Sequence, residues 1–260
     1  MLRPLVQRLR RTLQPSLAWL GRQVSRQGCS IQSWMDIDER NAWFPPEFRQ
    51  RYGGFNPPGE QREYVRIFEH DRVRSDMLVL LLREIVVGKV PGSMAELGVH
   101  HGGSARLIHH YCPERRFYLL DTFTGFTEAD LKAESLAVAF NTAPAFNDTN
   151  VDLVRKNIAP VNDSLEFVPG WFPASATPAM QQERFAFVHL DADLEAPILA
   201  GLEFFWPRLS DGGIVVVHDY NGWPGARAAV DGFRQRTPLV AIPMPDKCGS
   251  IVLRKPATAC

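Results

Sequence analysis

Residues 93–108 read Ser93-Met94-Ala95-Glu96-Leu97, then Gly98-Val99-His100-His101-Gly102-Gly103, then Ser104-Ala105-Arg106-Leu107-Ile108. The first five suit a short buried strand, the glycines a turn with close backbone approach, and Ser104–Tyr111 a helix. The same alternation continues on both sides. Ser75–Val87 is apolar at helical spacing and stops at Gly88. Downstream the spacing predicts strands over Phe117–Asp121, Ser164–Pro169 and Phe185–Leu190, and a helix over Asn150–Ile158. A further helix buries Ile198, Leu202, Phe205 and Leu209, with Pro197 in its first turn, where proline is tolerated. Asp211-Gly212-Gly213 reads as a turn into Ile214–Val217, a β-branched run suited to a strand buried on both faces. Gly225–Arg236 is a helix, and Leu239–Pro243 with Ser250–Arg254 closes the chain as a strand pair. Alternating elements with apolar strands predict an α/β fold: a doubly wound, Rossmann-like seven-stranded sheet, mostly parallel with the last strand antiparallel.

The remaining 1–66 reads as an N-terminal helical and irregular arm, and 67–260 as the main domain. Six arginines (Arg3, Arg8, Arg10, Arg11, Arg22, Arg26) precede the first acid, Asp36, opposite Leu2, Leu5, Val6, Leu9 and Leu13. That stripe suits weak contact with an anionic membrane surface, or an arm packed on a partner subunit; its shortness favours the arm. Residues 31–66 are rich in aromatics and proline, from Trp34 and Trp43 to Tyr64. They are read as a lid over a cleft or a contact that makes a homodimer.

Composition narrows the function classes. Apolar residues are 45% and charged residues 22%, as in globular proteins. Lys plus Arg is 29 and Asp plus Glu is 29, so no basic excess exists to displace counterions from nucleic acid. Cys29, Cys112, Cys248 and Cys260 lack metal-finger spacing, and a reducing, cytoplasmic setting is expected. The run Met77–Leu82 falls far short of the roughly 18 residues of a transmembrane segment.

In parallel α/β sheets ligands bind beyond the carboxyl ends of the strands. The chemically informative residues gather at those ends. Gly98, Gly102 and Gly103 have the spacing GxxxGG rather than the GxGxxG of a dinucleotide loop. Glu96 ahead of them suits an ammonium group and would repel a pyrophosphate. S-adenosylmethionine has an amino-acid end with both an amine and a carboxylate, the latter suited to helix N–H groups. Asp121 ends the second strand, where an acid can accept both ribose hydroxyl protons. His100 and His101 are adjacent, so at most one is expected to face the cofactor. Asp191 and His218-Asp219 end neighbouring strands, which lie about 5 Å apart. Paired carboxylates there invite a divalent cation, which would lower the pKa of a bound hydroxyl. Asp193 is read as a helix cap, and His189 as a core or supporting histidine.

These residues resemble the macrocin O-methyltransferase family of S-adenosylmethionine-dependent enzymes that methylate sugar hydroxyls on natural products. The likeness runs from about Val90 to Phe233. It is carried by Glu96-Leu97-Gly98-Val99 with Gly102-Gly103, Asp121-Thr122-Phe123-Thr124-Gly125-Phe126, Pro169-Gly170-Trp171-Phe172, Leu190-Asp191-Ala192-Asp193-Leu194, Asp211-Gly212-Gly213, Asp219-Tyr220 and Gly225-Ala226-Arg227. The resemblance implies a cofactor site of Glu96, Gly98, Gly102, Gly103, Ser104, Asp121, Thr122, Phe123 and Trp171. It implies Mg2+ on Asp191, His218 and Asp219, with Asp191 or a metal-bound oxygen as the catalytic base. Family members usually have two acids where this chain has His218-Asp219, and that departure adds His218 itself as a base should the metal be weak or absent. Imidazole is neutral and softer, which suits Mn2+, Fe2+ or Zn2+ better than Mg2+. The acceptor implied is a hydroxylated small molecule, a sugar or glycoside. Two rival readings of the same sheet are a nucleotide-dependent oxidoreductase and a non-catalytic, cofactor-binding interaction module.

Overall fold

The computed structural model describes residues 71–127 and 146–257. Of the two units into which the chain divides, Met1–Tyr64 and Val65–Cys260, these belong to the second. The expected basic stripe and aromatic arm lie outside the described residues. No helix among the described residues is long and apolar enough to cross a membrane.

Asp71 caps α1 (Arg72–Val87), its carboxylate accepting the Arg74 N–H at 3.1 Å. That cap starts the helix three residues before the expected Ser75. It is followed by β1 (Ser93–Leu97), α2 (Gly103–Tyr111), β2 (Phe117–Asp121), α3 (Val151–Ile158), β3 (Leu165–Pro169), α4 (Pro178–Gln182) and β4 (Phe185–Leu190). The chain ends with α5 (Glu195–Arg208), β5 (Leu209–Val217), α6 (Pro224–Arg236), β6 (Val240–Pro243) and β7 (Ile251–Arg254). The seven strands lie in the order β3-β2-β1-β4-β5-β7-β6, and only the pairs made by β7 are antiparallel. Both expectations hold, the doubly wound sheet and its reversed last strand.

Two further elements differ from the sequence expectation. β5 begins at Leu209, because Asp211-Gly212-Gly213 bulges within the strand instead of turning before it. Gly212 donates to the Lys255 carbonyl at 3.1 Å and Lys255 to the Gly213 carbonyl at 2.9 Å, so the bulge stays paired with the chain after β7. The short α4 carries too few residues for a periodic signal; Thr177 starts it by accepting the Met180 N–H.

The register places the site. Leu97 pairs with Leu120 and Leu190, and Leu190 with Val217, so the residues that follow emerge at one level. Gly98 donates to the Leu120 carbonyl at 2.9 Å, Asp191 to Leu97 at 2.8 Å and His218 to Leu190 at 2.9 Å. β1, β4 and the paired part of β5 are buried on both faces, which fixes that register. Beneath, Phe205 of α5 meets Phe185 of β4 edge to face, with ring centroids 4.9 Å apart, and stacks on Phe172 at 5.7 Å. Phe205→Ala would empty a fully buried site and is expected to destabilise the domain by about 3–5 kcal/mol, measured by urea unfolding.

Candidate functional site

A cavity of about 730 Å³ opens at the carboxyl ends of β1, β2, β4 and β5, within the range of small-molecule sites. Gly98 forms its floor with a φ of +88°, and a side chain there would run into the Asp191 carbonyl. Only glycine lets the β1 loop lie against the end of β4. Gly103 and Ser104 open α2 on the cavity side, and Gly102 supplies no side-chain cap, so first-turn N–H groups are left for a ligand. Thr122 and the half-exposed Trp171 also line the cavity.

Four expected cofactor residues have other surroundings. Gly102 (φ +80°) faces α3, where a Cβ would meet Val154 and Ile158 at 3.0–3.3 Å. Phe123 is buried with its ring on Phe167. Glu96 is fully buried below the cavity, where one carboxylate oxygen accepts from Ser104 Oγ and meets His189 Nδ1 at 2.8 Å. Its other oxygen is buried without a partner. Asp121 lines the cavity, yet its carboxylate already accepts the N–H groups of Val99 (2.7 Å), His100 (2.9 Å) and Phe123 (2.8 Å). Of its roughly four acceptor positions, one is left, so it can take one hydroxyl and not two. His100 and His101 share one side of the cavity. Both line the cavity, because the left-handed φ of +47° at His100 stacks the two rings 3.7 Å apart, and both reach Asp148.

The expected charged residues do converge. Asp191 Oδ2 lies 2.5 Å from the Arg74 guanidinium, and its Oδ1 lies 2.8 Å from His218 Nδ1. That nitrogen is also 2.9 Å from Asp219 Oδ2, while Nε2 is 3.8 Å from Asp246. Neither Asp191 nor Asp219 is aligned with the Nδ1–H bond, so these contacts are charge against charge rather than directed hydrogen bonds. Burial alone would lower the His218 pKa, but Asp191 above all, with Asp219, pushes it up to about 10. His218 is therefore an imidazolium at neutral pH and not the free base expected from the sequence. Burial would raise Asp191, yet Arg74 and His218 pull it well below the usual carboxylate range. A carboxylate so stabilised is a poor proton acceptor.

Asp193 is the opposite case. Burial, reinforced by Asp219 and Asp191, raises its pKa well above the usual value. It does not cap α5, whose N-cap is Leu194 with no side-chain bond. A left-handed φ of +57° instead places Asp193 in the cavity lining. Oxygens of Asp191, Asp193 and Asp219 lie within 4.8 Å of one another. Cys248, not singled out in the sequence, also lines the cavity, and its thiol is pushed up to about 11 by burial and Asp219. Arg74 carried a sequence signal that went unread: it is the one arginine in register with Leu78, Leu82 and Ile85 on the buried face of α1.

The sequence matches the family described as Macrocin-O-methyltransferase (TylF) over residues 65–247. It is 32% identical over 173 residues to the 8-demethyl-8-(2,3-dimethoxy-alpha-L-rhamnosyl)-tetracenomycin-C 4'-O-methyltransferase of Streptomyces olivaceus, covering 63% of this chain and 66% of that one. It is 32% identical over 160 residues to the Mycinamicin III 3''-O-methyltransferase of Micromonospora griseorubida, covering 56% and 62%. The matches thus span slightly less than two thirds of these relatives. The fold is shared with the O-methyltransferase NovP, at a TM-score of 0.62 and 21% identity over 82% of this chain and 89% of that one. Calicheamicin methyltransferase CalS11 follows at 0.54 and 23%, over 68% and 77%.

Arg74→Met would leave Asp191 buried without its guanidinium and is expected to cost about 3–5 kcal/mol in urea unfolding. The His218 pKa lies above its unfolded value near 6.5, so its stabilisation is complete below that pH and is lost as pH rises towards 10. The urea midpoint of metal-free protein should fall across this window, and His218→Asn should flatten the fall.

Proposed function

The chain belongs to the macrocin-O-methyltransferase family, and on that premise we propose that it transfers a methyl group from S-adenosylmethionine to a hydroxyl of a sugar or glycosylated natural product. The observation that carries this reading is the meeting of an uncapped α2 N-terminus, the Asp121 loop and a raised-pKa carboxylate in one cavity. Relatives named for methylation at a 4' or a 3'' hydroxyl support the acceptor class.

The site has partners for the cofactor's groups. First-turn N–H groups at Gly103 and Ser104 suit its carboxylate, and the remaining acceptor position of Asp121 suits one ribose hydroxyl. When bound, S-adenosylmethionine supplies an activated methyl on a sulfonium. The protein's tasks are then to orient the acceptor, exclude water and take its proton. Asp193 is the group for the proton. It lines the cavity, and its environment makes it more basic than Asp191. Asp191, Arg74 and His218 form a charged wall beside it.

A divalent cation fits this chemistry. Three carboxylates lie within one ion's reach, and Asp193, whose pKa is raised by burial first and then by Asp219 and Asp191, shows that negative charge gathers there. Asp219, which belongs to both neighbouring donor sets, would hold it, with Asp191 on one side and His218 and Cys248 on the other. When bound, the ion would lower the pKa of the acceptor hydroxyl.

Calorimetry of the full chain should give heat with S-adenosylmethionine and none with NAD or NADP; the reverse result would overturn the reading in favour of an oxidoreductase. Asp193→Asn is expected to lower kcat by about 100- to 10,000-fold with cofactor affinity unchanged. Near-normal turnover would remove Asp193 as the base.

A further inference from the structure

Asp219 stands between two donor sets. On one side are Asp191 and Asp193; on the other, ligand atoms of His218, Asp219 and Cys248 lie within 4.8 Å of one another. The two sets differ in chemistry. Three carboxylates make an all-oxygen set, whereas imidazole, carboxylate and thiol offer nitrogen, oxygen and sulfur.

The nitrogen–oxygen–sulfur set is held by the fold. The Asn221 N–H donates to the carbonyls of Cys248 and Gly249, both at 3.1 Å, tying the turn after β5 to the loop before β7. A Cβ on Gly222 would sit 3.0 Å from Cys248 Cβ and 3.2 Å from Asp219 Oδ1, so glycine there lets these two residues approach. Gly249 has a φ of +66°, and a side chain on it would strike Asn221. Asp246 pins the base of the loop, accepting from Ser250 N–H at 2.6 Å and from its hydroxyl at 2.7 Å. The Lys247 N–H reaches Asp71 Oδ2 at 3.1 Å and ties the loop to the start of α1. Such support around candidate ligands is what a metal needs to find them in place.

The all-oxygen side is less available. Both oxygens of Asp191 face cations, Arg74 and His218. Asp219 faces one cation, His218, and also hydrogen-bonds with Asp193 and with the Cys248 thiol; its left-handed φ of +58° turns it towards the cavity that Cys248 lines.

We propose that Cys248 Sγ, the His218 imidazole and an Asp219 oxygen together bind a transition-metal ion of the Zn2+ or Co2+ kind, in place of Mg2+. The assignment rests on the metal part of the function proposed above, and names its ion and its side of Asp219. Thiolate and imidazole select such ions, whereas Mg2+ demands an octahedron of oxygens. On binding, Cys248 gives up its thiol proton and the His218 imidazolium one ring proton, both to solvent, and His218 turns from Asp191 to the ion while Arg74 keeps Asp191 paired. Three protein ligands leave a fourth position open to the cavity, the pattern of catalytic rather than structural zinc. Asp193 then stays outside the ion's ligands, free to take a proton.

The test is Co2+ and Zn2+ loading of the reduced, metal-free full chain. Co2+ should bring an intense near-ultraviolet thiolate-to-cobalt absorption band, and X-ray absorption of the Zn2+ form should show sulfur at about 2.3 Å. Cys248→Ser should abolish both and weaken Zn2+ binding by about 10- to 100-fold, with S-adenosylmethionine affinity unchanged. Metal uptake with no sulfur signal in the native chain would overturn the proposal and leave the ion on carboxylates. A sulfur signal that survives in Cys248→Ser would overturn it by assigning the thiolate to another cysteine. No uptake of either metal would overturn both this proposal and the metal part of the proposed function. Methyl transfer itself stands or falls separately, on S-adenosylmethionine calorimetry.

Discussion

The buried ion pair between Arg74 and Asp191 is the contact around which the strand tips are organised. Asp191 leaves β4 beside Asp219 at the end of β5, close enough that unpaired carboxylates would repel. Arg74 enters from α1 and supplies charge at 2.5 Å, with its side chain only 9% exposed. The same guanidinium lies 3.4 Å from His189 Nε2, and His189 Nδ1 meets Glu96, which holds Ser104. Seven residues thus form one polar chain, Asp219–His218–Asp191–Arg74–His189–Glu96–Ser104. It runs from the end of β5 across β4 and β1 to the start of α2. Both ends of the cavity are held by one network whose members are costly to leave unpaired.

The network also divides labour among three similar carboxylates. Asp191, between two cations, is fixed as an anion. Asp219 is drawn the same way by His218, although burial and Asp191 oppose it. Asp193 is buried beside both, and burial above all, with Asp219 and Asp191, raises its affinity for a proton against the weaker pull of His218. Groups whose environments push their pKa values apart are those to which acid–base roles can be assigned. Within the proposed methyl transfer, Asp193 moves the proton and Asp191 holds the wall.

Much of the architecture was legible because it depends on local patterns. Buried strands such as Phe185–Leu190 must be apolar throughout, and Gly98 had to be glycine where the chain passes against the end of β4. The alternation of such elements is enough to imply the doubly wound sheet. The bulge at Asp211-Gly212-Gly213 was illegible for the converse reason: a glycine pair after an acid has the composition of a turn. Only pairing with the chain after β7 keeps it inside the strand. Asp193 was misread likewise, since an acid just before a helix has the composition of a cap, whereas its left-handed backbone turns it into the cavity.

The sequence by itself determined the sheet, the level at which the strands end, and the convergence of Asp191, His218 and Asp219 there. Burial periodicity and register act along the chain or between adjacent strands, and both leave a residue-by-residue signature. Tertiary structure alone decided what each charged group does. Arg74 and Asp191 are 117 residues apart, and Cys248 reaches Asp219 only through the glycines of two separate loops. A side chain's proton affinity and its fitness as a ligand are set by the few ångströms around it, and those neighbours come from segments that no local pattern links.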